Sequence, residues 1–404
     1  MKAKGCFPII YKTILVLSLG LFLLLSQSCS KQPVEPEPEL QQQVDPEPEP
    51  EPEPESPGKI LYAAKIYSTR LTSEDASWIA SHCDLLITDG SSDDWTFEMK
   101  ATNPNLRLFR YLTTCLVKEP VNTAVTSVPI NNLLEEHDNW FWRTEGGDYV
   151  YPVEGPDSYL IDPAASTDGW SDYWATEALN LIDGLLYEGV HGDLAAIDVE
   201  SVREKCPEID SRYPTEADFH AAQEPCLSSF HDRLNANDKL LILNNVTLGS
   251  GIDRDYLTNT RIYSEDGFND QAYAMKAKYY PSDPFLGAES QEFQMEVVEV
   301  YSGFGKTLVL GAQPRVNRED ILYCIGCYLL VKQDPYVYLN IDWDGNYNNM
   351  QMLFNDFGHL FETDYGQPLG PRYEENGVWV REFSRGTVVV NLETHTFEFR
   401  DNGN

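Results

Sequence analysis

From residue 59 onward, short apolar runs alternate with longer stretches whose apolar positions recur every three or four residues. The first kind is strand-like and the second helix-like, because side chains alternate across a strand but return to one helix face after a turn. Read this way, strands fall at 60–66, 85–89, 106–112, 194–200, 240–246, 261–265, 307–311 and 336–342. Helices fall between them: one capped by Thr72 or Ser73, then 170–186, 215–234, 289–301 and 319–331. Strands alternating with helices in this way predict an α/β fold, a (β/α)8 TIM barrel. A doubly wound open sheet is the runner-up, but no Gly-rich phosphate turn follows the first strand. The pattern changes at the end of the chain, where 377–383, 386–392 and 395–400 are short alternating runs separated by Arg385-Gly386 and Glu393-Thr394. They predict a small C-terminal antiparallel β-domain.

The N-terminal pattern is that of an export signal. Lys2, Lys4 and Lys12 precede an apolar core that ends at Ser26-Gln27-Ser28-Cys29, too short for a stable membrane span. Small residues before a cysteine make Cys29 the expected lipidation site. Residues 30–58 are dominated by Glu-Pro repeats, which forbid helix, repel one another and form an extended tether. The expected organisation is a lipoprotein signal at 1–29, the tether at 30–58, the barrel at 59–365 and the β-domain at 366–404. The expected location is the outer membrane or cell surface of a bacterium, the periplasmic face included, with a lipid anchor in the membrane.

Charge narrows the partners. The formal net charge of −36 argues against nucleic acid and anionic polymers and fits neutral or cationic ligands. Cysteine use is permissive of disulfides in an exported chain, and Cys206 with Cys226 is the pair best placed for one. Cys324 and Cys327 fall in an apolar helical run and are expected to pack in the core.

The candidate chemistry lies where apolar runs end in acid. Ala195-Ala196-Ile197-Asp198-Val199-Glu200 reads as a buried strand closing on two carboxylates that share one side. Ile262-Tyr263-Ser264-Glu265 repeats that event, as does Leu339-Asn340-Ile341-Asp342, and Asp89 closes the second strand. Carboxylates at barrel strand ends usually serve chemistry, and glycoside hydrolysis needs two of them across the scissile bond. Asp198 and Glu265 are therefore the expected catalytic pair. Glu200, Asp89, Arg110, Asp342, Trp343 and Arg315 are the expected substrate-binding residues. Trp343 would supply a flat platform for a sugar face, with Trp95, Trp140 and Trp142 as further candidates. The seven His residues are scattered, and in Asp342-Trp343-Asp344-Gly345-Asn346 the glycine of a calcium loop is displaced. No metal and no cofactor are expected.

At these residues the chain resembles the hypothetical glycoside hydrolase-like family 15, and more distantly the endo-α-1,4-polygalactosaminidase barrels. The resemblance rests on Arg110-Tyr111-Leu112, Leu160-Ile161-Asp162-Pro163, Asp193-Leu194-Ala195-Ala196-Ile197-Asp198, Ser264-Glu265 and Val380-Arg381-Glu382-Phe383-Ser384-Arg385-Gly386. It implies hydrolysis of a polysaccharide or oligosaccharide, with Asp198 and Glu265 matching the family's acids. Leu194 stands where a glycine is usual. Two other readings follow from the same residues: a glycan-binding lipoprotein on a degenerate barrel, and an exported scaffold whose acidic cleft binds cations.

Overall fold

Eight parallel strands with helices between them account for most of the chain in the computed structural model. It describes residues 58–403 apart from 68–69, 119–132, 152–157, 194, 196–198, 210, 246–253, 279, 316 and 342–346. The first two strands are β1 (Ala63–Ile66) and β2 (Leu85–Thr88), joined through α1 (Ser73–His82). Thr72 caps α1 as expected, its hydroxyl and the Asp75 carboxylate exchanging bonds with each other's backbone. A 3-10 turn and α2 (Thr96–Thr102) lead to β3 (Arg107–Thr113).

An insertion then rises beside the strand C-termini. It contains β4 (Leu116–Lys118), α3 (Leu133–Glu136) and β5 (Ser158–Leu160) and ends at α4 (Trp170–Ile182). The barrel resumes with β6 (Gly189–Asp193), followed by α5 (Val199–Lys205) and α6 (Glu216–Asn235). Next come β7 (Leu240–Asn245), α7 (Arg254–Asn259) and β8 (Gly267–Asp270). α8 (Ala288–Gly303), β9 (Thr307–Ala312), α9 (Arg318–Val331), β10 (Val337–Ile341) and α10 (Tyr347–Phe361) complete the ring. The strand order is β1-β2-β3-β6-β7-β8-β9-β10, and a parallel bridge between Tyr62 and Leu339 brings the two edges together.

Two of the expected strands are displaced. Residues 261–263 form a 3-10 turn, so the sixth barrel strand is Gly267–Asp270 rather than 261–265. The fourth is Gly189–Asp193, and α5 already occupies Val199 and Glu200. Both true strands are poor in apolar residues because they place glycine where neighbours crowd. A Cβ on Gly189 would sit 2.1 Å from the Leu240 carbonyl oxygen, and one on Gly267 would sit 1.8 Å from that of Thr307.

The barrel interior is filled by Ala63, Leu85, Ile87, Phe109, Ile242, Val309 and Tyr338, whose alternate neighbours face the helices. The tail forms an antiparallel sheet of β11 (Tyr373–Glu375), β12 (Val378–Glu382), β13 (Gly386–Asn391) and β14 (Thr396–Asp401). Val388 and Val390 bury against the barrel core. Arg381 ties the sheet to α9, its Nη1 donating to the carbonyls of Leu329, Leu330 and Lys332 at 3.1, 3.1 and 2.8 Å. The Arg381 motif is thus a helix C-cap supplied from another element.

Trp140 and Trp142, expected as sugar platforms, are 3% and 1% exposed and pack inside the insertion and its junction with the barrel. Cys206 and Cys226 are both free thiols. Cys324 and Cys327 are buried in α9, as core packing requires.

Candidate active site

β6 and β8 share a local pattern. Glu188-Gly189-Val190-His191-Gly192-Asp193 and Asp266-Gly267-Phe268-Asn269-Asp270 each run acid, glycine, apolar residue and then an aspartate, after two further residues in β6 and one in β8. The leading acid sits at the N-terminal end of its strand and clamps neighbours. Glu188 accepts from Arg107 Nε at 2.8 Å and Lys100 Nζ at 3.1 Å, while Asp266 accepts from Asn235 and from the Leu241 amide. The closing aspartate sits at the C-terminal end, the rim where barrel chemistry is built.

Above the apolar layer, register carries Lys65, Tyr111, His191, Asn244, Asn269 and Asn340 on the same interior faces. Asp193 follows His191 by two and shares that face. The Tyr111 hydroxyl donates to one of its carboxylate oxygens and the Asn244 amide to the other. Asn244 cannot flip, because its own oxygen accepts from Asn269 Nδ2 at 3.2 Å. Its NH2 is thereby aimed at Asp193, and three adjacent strands fix one carboxylate. Tyr111 is held in turn between the rings of Tyr67, 4.6 Å away, and His191, 5.6 Å away.

Asp270 has different surroundings. It is fully buried, one oxygen accepts from the Ala272 amide at 3.0 Å, and the other has no partner. Burial pushes its carboxyl up to about 7, against weaker opposing effects from the Ala272 amide and Lys65. Burial also pushes the His191 imidazole down to about 3, against the pull of Asp193, so the ring is neutral across the physiological range. Both His191 ring nitrogens, the Asn269 and Asn340 side-chain oxygens and the Gln313 amide are likewise buried without partners. Native interiors seldom leave so many polar atoms unpaired in one region.

The expected site residues fall in several places. Asp198, Asp342 and Trp343 lie outside the described residues, as does Cys29. Glu200 is the second residue of α5. Asp89 closes β2 on the interior face, where its carboxylate caps the following 3-10 turn through the Ser91 amide at 2.9 Å. Glu265 lies at the opposite end of the barrel, two residues before β8 begins. It is sealed from solvent, 3.6 Å from Arg261 and bonded by the Tyr301 hydroxyl at 2.9 Å. Its expected place at a strand C-terminus is therefore corrected.

Arg110 points away from the interior, alternating with Phe109 and Tyr111, and pairs with Asp93 at 3.4 Å. Arg315 follows β9 but forks onto Asp320 at 2.6 and 2.9 Å. Asp162, in the Leu160–Pro163 motif, anchors the insertion through Tyr213, Arg212 and the Ala164 amide. Sequence reasoning did not offer Asp193, Asp270, Tyr111, Asn244 or Asn269 as candidate site residues. The repeated acid-glycine pattern was the signal that would have found both aspartates.

A (β/α)8 barrel with carboxyl groups at its C-terminal rim defines the architectural class, and the family follows from comparison. The chain belongs to the hypothetical glycosyl hydrolase family 15, whose match spans residues 100–387. Among solved structures it is similar to the glycoside hydrolase domain of PelA from Pseudomonas aeruginosa, with 12% identity, a TM-score of 0.45, and coverage of 69% of this chain and 94% of that one. It is also similar to an α-galactosidase from Thermus thermophilus, with 9% identity, a TM-score of 0.47, and coverage of 81% and 65%. A third similar structure is an α-N-acetylgalactosaminidase from Bifidobacterium bifidum, with 10% identity, a TM-score of 0.44, and coverage of 86% and 58%. No curated protein matches the chain.

Proposed function

We propose that this protein hydrolyses glycosidic bonds of a polysaccharide or oligosaccharide, with Asp193 and Asp270 as the reacting carboxyl groups. The observation that carries the reading is the contrast between two strand-end aspartates. One has both oxygens fixed by donors, and the other is buried with its carboxyl near 7 and one oxygen unengaged. Paired carboxyls with divergent surroundings are how one site supplies an acid and a base at neutral pH. In this scheme Asp270 gives its proton to the glycosidic oxygen as the bond from the anomeric carbon breaks. Asp193 either attacks that carbon or takes a proton from the water that does. Tyr111 and Asn244 position Asp193, and Asn269 holds Asn244.

Asp198, five residues beyond Asp193 in the sequence, is the alternative carboxylate. The test is reducing-sugar release from a panel of neutral and amino-sugar polysaccharides. Asp193→Asn and Asp270→Asn are each expected to lose at least ~10³-fold in rate, and full activity in either removes it from the pair.

A glycan-binding role without turnover is the second reading, and one residue favours it. On β8 strand alternation puts Asn269 and Gln271 on the interior face and Asp270 on the other, so the half-buried side chain that follows Asn269 on the interior face is an amide. Binding that survives in wild-type protein with no release from any polymer would select this reading. We further propose that Cys29 carries a lipid and that residues 30–58 hold the barrel off a bacterial membrane. Incorporation of radiolabelled palmitate, lost in Cys29→Ala, is the expected result.

A further inference from the structure

A cavity of about 860 Å³ opens on the outer wall of the barrel, between α6 and the α7 segment. His220, only 4% exposed, forms its floor by stacking on Tyr256 with ring centroids 4.8 Å apart and planes 8° from parallel. Glu224 reaches the same floor, oriented by the Tyr256 hydroxyl at 2.7 Å and the Ser264 hydroxyl. Tyr263 stands at the edge, 62% exposed, and meets Phe304, 57% exposed, edge to face at 6.2 Å. Phe304 also lines a second hollow of about 360 Å³, so the aromatic pair bridges two depressions. Single exposed aromatics are ordinary, but a touching pair between two hollows is a patch suited to binding.

We infer that this groove is a second carbohydrate-binding site, one that seats a segment of neutral polysaccharide on the outer wall of the barrel, away from its interior. Tyr263 and Phe304 precede β8 and β9, whereas Asp193 and Asp270 close β6 and β8. Three features fix the ligand class. The exposed ring of Tyr263 offers a sugar face its stacking partner. Oriented hydroxyls and the Glu224 carboxylate offer hydrogen bonds to sugar hydroxyls. Glu216 and Glu224 line the larger cavity, which holds Tyr263 and has no Lys or Arg among its described lining residues, whereas Arg107 and Lys306 line the smaller hollow; at the larger cavity this disfavours uronates and sulfated sugars. The inference rests on the carbohydrate reading proposed above, but not on the identity of the catalytic pair.

Affinity electrophoresis of the full chain in native gels containing laminarin, galactomannan or arabinoxylan tests it, with polygalacturonate as the acidic control. Retardation is expected in at least one neutral gel and not in polygalacturonate. Tyr263→Ala should weaken it about fivefold, Phe304→Ala should weaken it in the same direction, and Asp193→Asn should leave it intact. Both aromatics are surface residues, and an unchanged melting temperature shows that their variants fold. No retardation in any neutral gel, retardation unchanged by Tyr263→Ala, or retardation lost in Asp193→Asn overturns the groove. Tyr263-dependent retardation without hydrolysis of any polymer instead removes the hydrolase reading and leaves the groove standing.

Discussion

Asp270 illustrates how one buried residue ties chemistry to stability. Its carboxyl is held near 7 by burial, so the protonated acid is present below that pH and is lost above it. As the proton donor, it should make kcat/KM fall as pH rises through about 7, and a profile in which that limb is absent would count against the assignment. The same group should affect folding. The unfolded chain releases this proton near ~4, and the folded barrel releases it near 7. Between those values the folded state binds the extra proton, so stability declines as pH rises and then levels off. His191 works in the opposite sense: neutral when folded down to about 3, it costs stability as pH falls below ~6.5. Urea unfolding across pH should show Asp270→Asn flattening the first slope and His191→Gln the second. Tyr111→Phe removes one donor from Asp193 without emptying the ring's place between Tyr67 and His191, and about a tenfold to hundredfold loss in kcat is expected.

At the scale of elements, the strands that carry the site were the least strand-like in sequence. The expected run at 194–200 is apolar and continuous, whereas Gly189–Asp193 has two glycines, a histidine and an acid. Periodicity finds strands whose side chains supply the burial. Here the neighbours supply it, because close approach by the carbonyls of Leu240 and Thr307 excludes any side chain at Gly189 and Gly267. A Gly267→Ala substitution should therefore cost at least ~3 kcal/mol in chemical denaturation, and a stability within 1 kcal/mol of wild type would mean that the strands separate without penalty. The strands at β1, β2, β3, β7, β9 and β10 were legible because apolar side chains face both the interior and the helices. The tail sheet was legible from its alternation. Its attachment was not, since nothing in the pattern around Arg381 says that a guanidinium three strands from the chain end caps α9. Arg381→Met should cost ~2–3 kcal/mol, with the loss appearing first as exchange protection in the last turn of α9.

For the whole molecule, an acidic barrel belonging to a glycosyl hydrolase family carries a tail sheet packed against α9, and its charge leads us to propose neutral or cationic glycans as ligands. The general site could be read from sequence as acids at strand ends on one rim. The acids proposed here could not, because a shift of a few residues in two strand boundaries carried Glu265 to the opposite end of the barrel and drew the reading past Asp193 and Asp270. We propose that the carboxylate closing β6, held by Tyr111 and Asn244, is the one that reacts. Reducing-sugar release from a polymer that the wild-type protein cleaves, compared between Asp193→Asn and Asp198→Asn, tests it most directly. A loss of at least ~10³-fold is expected for Asp193→Asn and near-wild-type release for Asp198→Asn. Full activity in Asp193→Asn, with the loss falling on Asp198→Asn, would contradict it.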